Sequence, residues 1–185
     1  MGLSRLDNFL KSSRGTILYV NPNDLDATDS IENQGNSLTR PFKTIQRALL
    51  EAARFSYQRG LNNDRFAKTT IQVYPGDHVI DNRPGFIPDG TNNYRLRNGT
   101  TSDNLPAFDL STNLDLASAD NNLFKLNSIH GGVIIPRGTS LVGVDVRKTK
   151  IRPKYIPSPT NSNIERSAIF RVTGGCYFGQ FSIFD

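Results

Sequence analysis

The sequence predicts a mainly β fold, the beginning of a right-handed parallel β-helix with one α-helix and long polar loops. Three observations lead to this prediction. The 185 residues include 18 asparagines, 15 glycines and 10 prolines, residue types that favour turns and left-handed backbone. Short β-rich runs alternate with tight turns, as in a solenoid whose coils bury their inward side chains against one another. One segment, residues 41–59, shows a clear helical period.

The predicted strands are short and rich in β-branched or aromatic residues. Turns containing glycine or proline separate several of them. They comprise residues 15–20, 69–76 (ending in a turn), 78–80, 132–136, 140–144, 149–152, 167–173 and 176–184.

The segment 41–59 is predicted as a helix because Phe42, Ile45 and Leu49 recur at the helical period. Pro41 suits the first helical turn, where a missing N–H costs nothing. Gly60 suits the position just past the end. The apolar face of this helix is expected to pack against a sheet or the end of a solenoid.

Two polar segments interrupt this pattern. Residues 21–36 carry four acids that either bind calcium through oxygen ligands or form a solvated loop, and their spacing is not that of an EF-hand. The solvated loop is the prediction. Residues 81–130 lack strong periodicity, which is unusual inside a compact domain. They are predicted to be a polar insertion, partly ordered at best. The four acids are Asp24, Asp26, Asp29 and Glu32.

Composition excludes several classes of protein. No stretch approaches the ~20 apolar residues of a spanning helix, so no membrane partner is expected. The single cysteine, Cys176, permits no internal disulfide and fits synthesis in a reducing cytoplasm. Two histidines and one cysteine make no structural zinc site, and no metal or cofactor is predicted. The net charge of +5 is spread along the chain except at residues 147–150, so no nucleic-acid partner is expected.

Residues 1–14 are predicted to be a docking segment. Leu3, Leu6, Phe9 and Leu10 fall on one helical face. So short a helix needs a surface to pack against, either its own domain or another chain, and both remain open. The remaining units are 15–80, 81–130 and 131–185. The strand rhythm is expected to continue beyond residue 185.

Several blocks carry a family resemblance. Residues 15–20, 40–48 and 71–76 follow the order strand, polar loop, P-F-x-T-I-x-x-A helix and strand ending in P-G. This order resembles the start of a pectate-lyase-like parallel β-helix. Residues 131–138, 142–155 and 167–174 resemble the N-terminal region of virion structural proteins of T4-like cyanophages, which are associated with tail fibres or the baseplate.

The resemblance implies that the 41–59 helix caps the first coil, as the end of a solenoid requires. It also implies a homotrimer in the virion tail, made in the bacterial host cytoplasm. Its partners would be other phage tail and baseplate structural proteins.

Three functions are weighed. The first is a polysaccharide lyase or hydrolase, a phage depolymerase. Glycoside hydrolysis needs two carboxylates about 5–10 Å apart, and the candidate acids and bases show no spacing that this chemistry requires. Asp145 and Arg147 are expected to form an ion pair on one face of a strand, and the histidines to lie in turns or loops. No enzyme is therefore predicted. The candidates are Asp77, Asp81, Asp89, Asp145, His78, His130, Arg147 and Lys148.

The second function is a carbohydrate-binding receptor module, which would display aromatic side chains along a groove. The sequence has no tryptophan, and Tyr94, Tyr155 and Tyr177 are scattered.

The third and preferred function is a structural adaptor, an N-terminal anchoring module that attaches a tail fibre or spike to the tail or baseplate. Such a module needs exposed apolar anchors and adaptable polar loops. The basic cluster at 147–152 either pairs with an acidic partner surface or is a solvated face. The predicted partner-binding residues are Leu3, Leu6, Phe9, Leu10, Arg147 and Lys148.

Overall fold

The computed structural model describes residues 16–56, 69–88, 94–96, 122–156, 168–172 and 175–184. Within these ranges the chain is mainly strands, in largely parallel sheets, with one α-helix, α1 (Ile45–Ser56). The prediction of a mainly β protein is confirmed. The strands are β1 (Thr16–Val20), β2 (Thr69–Val73), β3 (Gly76–Ile80), β4 (Phe86–Pro88), β5 (Tyr94–Leu96), β6 (Val133–Ile135), β7 (Thr139–Gly143), β8 (Thr149–Pro153), β9 (Phe170–Val172), β10 (Tyr177–Gly179) and β11 (Ser182–Ile183).

Three parallel sheets share a repeated chain order. The largest has the order β1-β2-β7-β10, the second β3-β8-β11 and the third β6-β9, whereas β4 and β5 form an antiparallel pair. The chain passes through the third, first and second sheets as β6, β7 and β8, and then again as β9, β10 and β11. Each later strand therefore lies directly beside its earlier equivalent.

Aligned apolar side chains form the core between these sheets. Leu18, Ile71 and Leu141 are register partners in β1, β2 and β7, and all three are fully buried. Phe178 continues this row in β10 and is partly buried. Because side chains alternate between the two faces of a strand, each of these strands buries one row and presents the other outward.

The helix begins four residues later than predicted. Phe42 forms a parallel bridge with Val20, and its amide donates to the carbonyl of Tyr19 at 2.8 Å. This pairing holds Pro41 and Phe42 in extended backbone, outside the helix. Thr44 caps the helix instead, because its hydroxyl accepts a hydrogen bond from the amide of Arg47 at 3.2 Å. The carboxylate of Asp29 accepts from the same hydroxyl at 2.7 Å and so holds Thr44 in place. The structure ends α1 at Ser56, and the predicted end at residue 59 lies outside the described residues.

Polar contacts fix the helix to the loop before it. Arg47 is fully buried, and its guanidinium donates to Glu51 at 2.9 Å and to the carbonyl of Asn33 at 3.1 Å. The guanidinium also lies 4.6 Å from the ring centre of Phe42. Gly35 accepts a backbone hydrogen bond from Tyr19 at 2.7 Å. The loop therefore covers the outer edge of β1 while the helix packs on the core.

Buried asparagines hold loops together. Asn127 donates to the carbonyls of Asp81 at 2.7 Å and Arg83 at 2.8 Å. Asn33 and Asn82 are also buried. Asn33 donates to the carbonyls of Thr28 and Pro41 within the loop before α1, and Asn82 binds the backbone of Tyr155 after β8. Thus some of the many asparagines, which the sequence associates with turns, act through their side chains as buried links.

The two ends of the 81–130 segment pack into the body. Asp81, Asn82 and Arg83 are buried at one end, and Leu123 and Phe124 at the other. Residues 89–93 and 97–121 lie outside the described residues, so an insertion between these ends remains a prediction.

The last predicted strand, 176–184, is two strands. β10 and β11 belong to different sheets and meet at Gln180, which has a left-handed φ of 61°. Gly143 lies against this corner, and a Cβ at that position would overlap the carbonyl oxygen of Gln180. The chain thus turns from one sheet to the next where the sequence suggests a continuous strand.

Candidate partner interface

The predicted partner-binding residues fall into two groups. Leu3, Leu6, Phe9 and Leu10 lie outside the described residues, and their role in docking stays a prediction. Arg147 and Lys148 are exposed in the loop between β7 and β8.

The loop is shaped by its own acid. The carboxylate of Asp145 accepts hydrogen bonds from the backbone amides of Arg147 at 2.8 Å and Lys148 at 3.3 Å. The carbonyl of Asp145 accepts from the amide of Thr149 at 2.8 Å. The expectation that Asp145 and Arg147 share a strand face is therefore wrong, because these bonds close a turn and bind the Arg147 backbone.

An open concavity lies beside the loop. Val144 and Val146 are 43% and 54% exposed there. Gln180, at the corner between β10 and β11, also lines the concavity. We call this region the basic corner; its lining residues are Val144, Asp145, Val146, Arg147, Lys148 and Gln180.

Some of the cations near the basic corner have partners among the described residues and others do not. On the neighbouring sheet Arg152 pairs with Asp77, with 2.9 Å between Nη2 and Oδ2. Lys150 lies 5.8 Å from the ring centre of Phe184. Among the described residues, no acidic side chain lies within ion-pair distance of Arg147 or Lys148. The corner therefore presents two cations next to exposed apolar surface.

The candidate acids occupy structural positions. Asp81 is buried and forms a two-pronged ion pair with Arg83, and Lys154 Nζ approaches it at 3.3 Å. Asp77 is half-exposed in its pair with Arg152. Asp89 lies outside the described residues.

The two histidines differ sharply in environment. The expectation that His78 lies in a turn is wrong, because Gly76–Ile80 pairs as β3 with β8 and His78 is a buried strand residue, 5% exposed. Its Nε2 lies 2.8 Å from the carbonyl oxygen of Tyr74. Burial lowers the pKa of His78, against a smaller opposing effect of this hydrogen bond. The ring is thus neutral at pH 7 and donates to the carbonyl. His130 is exposed in the loop before β6, as expected.

One of the four loop acids is buried, contrary to the prediction of a solvated loop. Asp29 is 4% exposed and accepts bonds from the amides of Lys43 at 2.8 Å and Thr44 at 3.1 Å. Its second oxygen accepts from the Thr44 hydroxyl at 2.7 Å. Burial raises the pKa of Asp29 despite these bonds. In the described part of the chain no three His, Cys, Asp or Glu side chains are grouped to hold a metal ion.

Two exposed apolar residues, on β9 and β11, are a further surface feature that the sequence does not predict. Val172 follows Ile135 in register, and Ile183 follows Ile151. Both earlier residues are fully buried, yet Val172 and Ile183 are each 57% exposed. The strand pattern alone could not reveal this, because exposure here depends on which strands lie beside β9 and β11.

The candidate aromatic residues do not line a common groove in the described regions. Tyr177 is half-exposed on β10, and Tyr155 is partly buried after β8. Nothing is described of the Tyr94 side chain.

Comparison with known proteins gives no relative: no family model, no curated protein and no solved structure matches the chain. None of the helices within the described ranges has the length and apolar character needed to cross a membrane.

Proposed function

We propose that this chain belongs to a bacteriophage virion structural protein and forms the N-terminal module that attaches a tail fibre or spike to the tail or baseplate. The observation that carries the proposal is the basic corner. There Arg147 and Lys148 lie beside exposed valines. Exposed apolar side chains with polar or charged groups at their rim are typical of a protein–protein contact site.

We also propose that the parallel sheets begin a right-handed parallel β-helix. The repeated passage of the chain through three sheets, with each strand beside its predecessor, supports this architecture. The loop over β1 and helix α1 would then serve as the cap of the first coil. Within such a solenoid the basic corner is the turn between two sides of one coil.

Partners follow from the family resemblance and remain proposals. The module would bind other tail or baseplate structural proteins, as a homotrimer in the virion tail. The N-terminal leucines and Phe9 would provide an apolar anchor, and the basic corner would provide a second, electrostatic contact.

The candidate catalytic residues favour this structural role over an enzyme. Asp81 is neutralised by Arg83, and His78 is bound to backbone. Asp145 is engaged by two amides of its own turn. Groups held in this way are structural links, whereas a general acid or base needs access to a substrate proton.

Two variants test the proposal in phage particles. Deletion of residues 1–13 should leave thermal unfolding unchanged and abolish incorporation. The double variant Arg147→Glu with Lys148→Glu should reduce incorporation without affecting folding. A matched control, Lys43→Glu with Lys125→Glu, changes the net charge equally at exposed positions elsewhere. Normal incorporation of both the deletion and the corner variant would overturn the proposal.

A further inference from the structure

We propose that the outer face of the four-stranded sheet is a contact surface between copies of this chain. Two rows of outward residues cross β1, β2, β7 and β10 in register. None of the eight positions carries a charge. The rows are Ile17, Thr70, Ser140 and Tyr177, followed by Tyr19, Gln72, Val142 and Gly179. We call this surface the uncharged face.

The neighbouring sheet provides the contrast. Its outward positions on β3 and β8 include Asp77, Lys150 and Arg152, all exposed. A solvated sheet face normally carries such charges. Protein–protein contacts instead lose charged residues from their centre and gain aromatic ones such as tyrosine. The uncharged face has both properties, with Tyr19 at one side and Tyr177, 49% exposed, at the other.

The composition of the face favours a second copy as the occupant. When two copies of the uncharged face meet, the contact buries no unpaired charge and places no like charges against one another. The net charge of +5 opposes this association only through longer-range repulsion, which salt screens. An acidic partner would gain nothing there and is better matched to the basic corner. The two surfaces thus suit different partners.

The area of the uncharged face indicates how strongly two copies should associate. Four strands about 4.8 Å apart and roughly 17 Å long cover about 300 Å², whereas a standard interface buries about 800 Å² on each partner. The uncharged face is therefore the centre of a contact, and association should depend on concentration. This inference adds a contact between copies to the proposed virion module, and its biological setting rests on that proposed function.

Sedimentation velocity of the purified full chain, from micromolar to millimolar concentration, tests the inference. We expect reversible self-association of the wild type. Thr70→Lys with Ser140→Lys places like charges in the centre of the face and should weaken association by roughly tenfold or more. Val79→Lys, at an exposed position on the neighbouring sheet, should leave association unchanged.

A charge-exchange experiment separates repulsion from misfolding. A second variant, Thr70→Glu with Ser140→Glu, should also be monomeric, and mixing it with the lysine variant should restore association. A monomeric wild type throughout the concentration range would overturn the inference, as would association that persists in the lysine variant. The assay uses purified protein, so its failure leaves the outcome of the particle-incorporation test unaffected.

Discussion

The side chain of Asn82 binds the backbone of Tyr155 in both directions. Its amide nitrogen donates to the Tyr155 carbonyl at 2.9 Å, and its carbonyl oxygen accepts from the Tyr155 amide at 2.9 Å. A further bond of 3.3 Å reaches the carbonyl of Ala168. Because Asn82 is 2% exposed, water does not readily replace these bonds, and one side chain joins the segments that follow β3 and β8.

Replacement of Asn82 should therefore be costly. Asn82→Ala removes three partly buried hydrogen bonds between its side chain and the backbone, at about 1 kcal/mol for each bond. The free energy of unfolding from chemical denaturation measures this loss. Asn36→Ala is the control, since Asn36 is exposed, and a change within about 0.5 kcal/mol is expected there. Equal stability of the two variants would contradict the role assigned to Asn82.

Gly35 and Gly175 allow backbone strain to be separated from steric overlap. Both have a φ of 61°. A Cβ at Gly35 would overlap the ring of Phe42, whereas a Cβ at Gly175 would meet nothing closer than 3.9 Å. Gly175→Ala should cost about 1–2 kcal/mol, the left-handed penalty alone. Gly35→Ala should cost about 1–3 kcal/mol more, from overpacking. Equal unfolding free energies for Gly35→Ala and Gly175→Ala would contradict this prediction. They would show that the loop over β1 shifts to accommodate the added methyl group at no measurable cost.

His78 should make stability depend on pH. Its folded pKa lies below the unfolded value of about 6.5, so the unfolded state binds more protons. The stabilisation that comes from keeping His78 neutral is fully present above a pH of about 6.5 and is lost as the pH falls through the folded pKa. Unfolding free energies measured from pH of about 7 to about 5 should decline less in His78→Gln. A decline in His78→Gln as steep as that of the wild type would contradict this role of His78.

Asp29 should make the free energy of unfolding depend on pH in the opposite sense to His78. Burial raises its folded pKa above 3.8, so the folded state binds the proton more tightly. Its contribution is complete below pH of about 3.8 and is lost as the pH rises through the folded pKa. Asp29→Asn keeps an oxygen for the amides of Lys43 and Thr44 and avoids the buried charge. We expect it to match or exceed wild-type stability at neutral pH, with the difference between the two shrinking toward pH of about 4.

Two variants complete the test of Asp29. Asp29→Ala should lose about 1 kcal/mol or more, because the amides of Lys43 and Thr44 and the Thr44 hydroxyl lose their acceptor. Asp26→Asn, at an exposed position in the same loop, should be neutral. A destabilised Asp29→Asn at neutral pH would contradict this prediction, because it would mean that the buried charge itself stabilises the fold.

The sequence predicts most strands of the three parallel sheets because their signal is local, whereas it does not predict β4 and β5. Alternation of β-branched residues indicates β1, β2 and β7 to within one or two residues. The start of the helix depends instead on the pairing of Phe42 with Val20, two residues far apart in the sequence. The bend at Gln180 is likewise set by the approach of Gly143. Neither contact leaves a periodic pattern.

The candidate interface was only partly predictable. A run of cations marks Arg147 and Lys148 in the sequence, but their exposure and the neighbouring valines depend on the turn that Asp145 closes. The burial of Asp29 could not be inferred, because its partners at Lys43 and Thr44 lie at the start of a helix beyond the loop. The uncharged face becomes visible only when strand register is known.

Quantitative mass spectrometry of purified phage particles from the source tests whether this chain is a virion structural protein. We expect peptides of this chain in the particles, in a fixed ratio to tail and baseplate proteins, and retained after the particles are washed. Absence of these peptides from particles of a phage that expresses the chain would contradict its assignment as a virion structural protein.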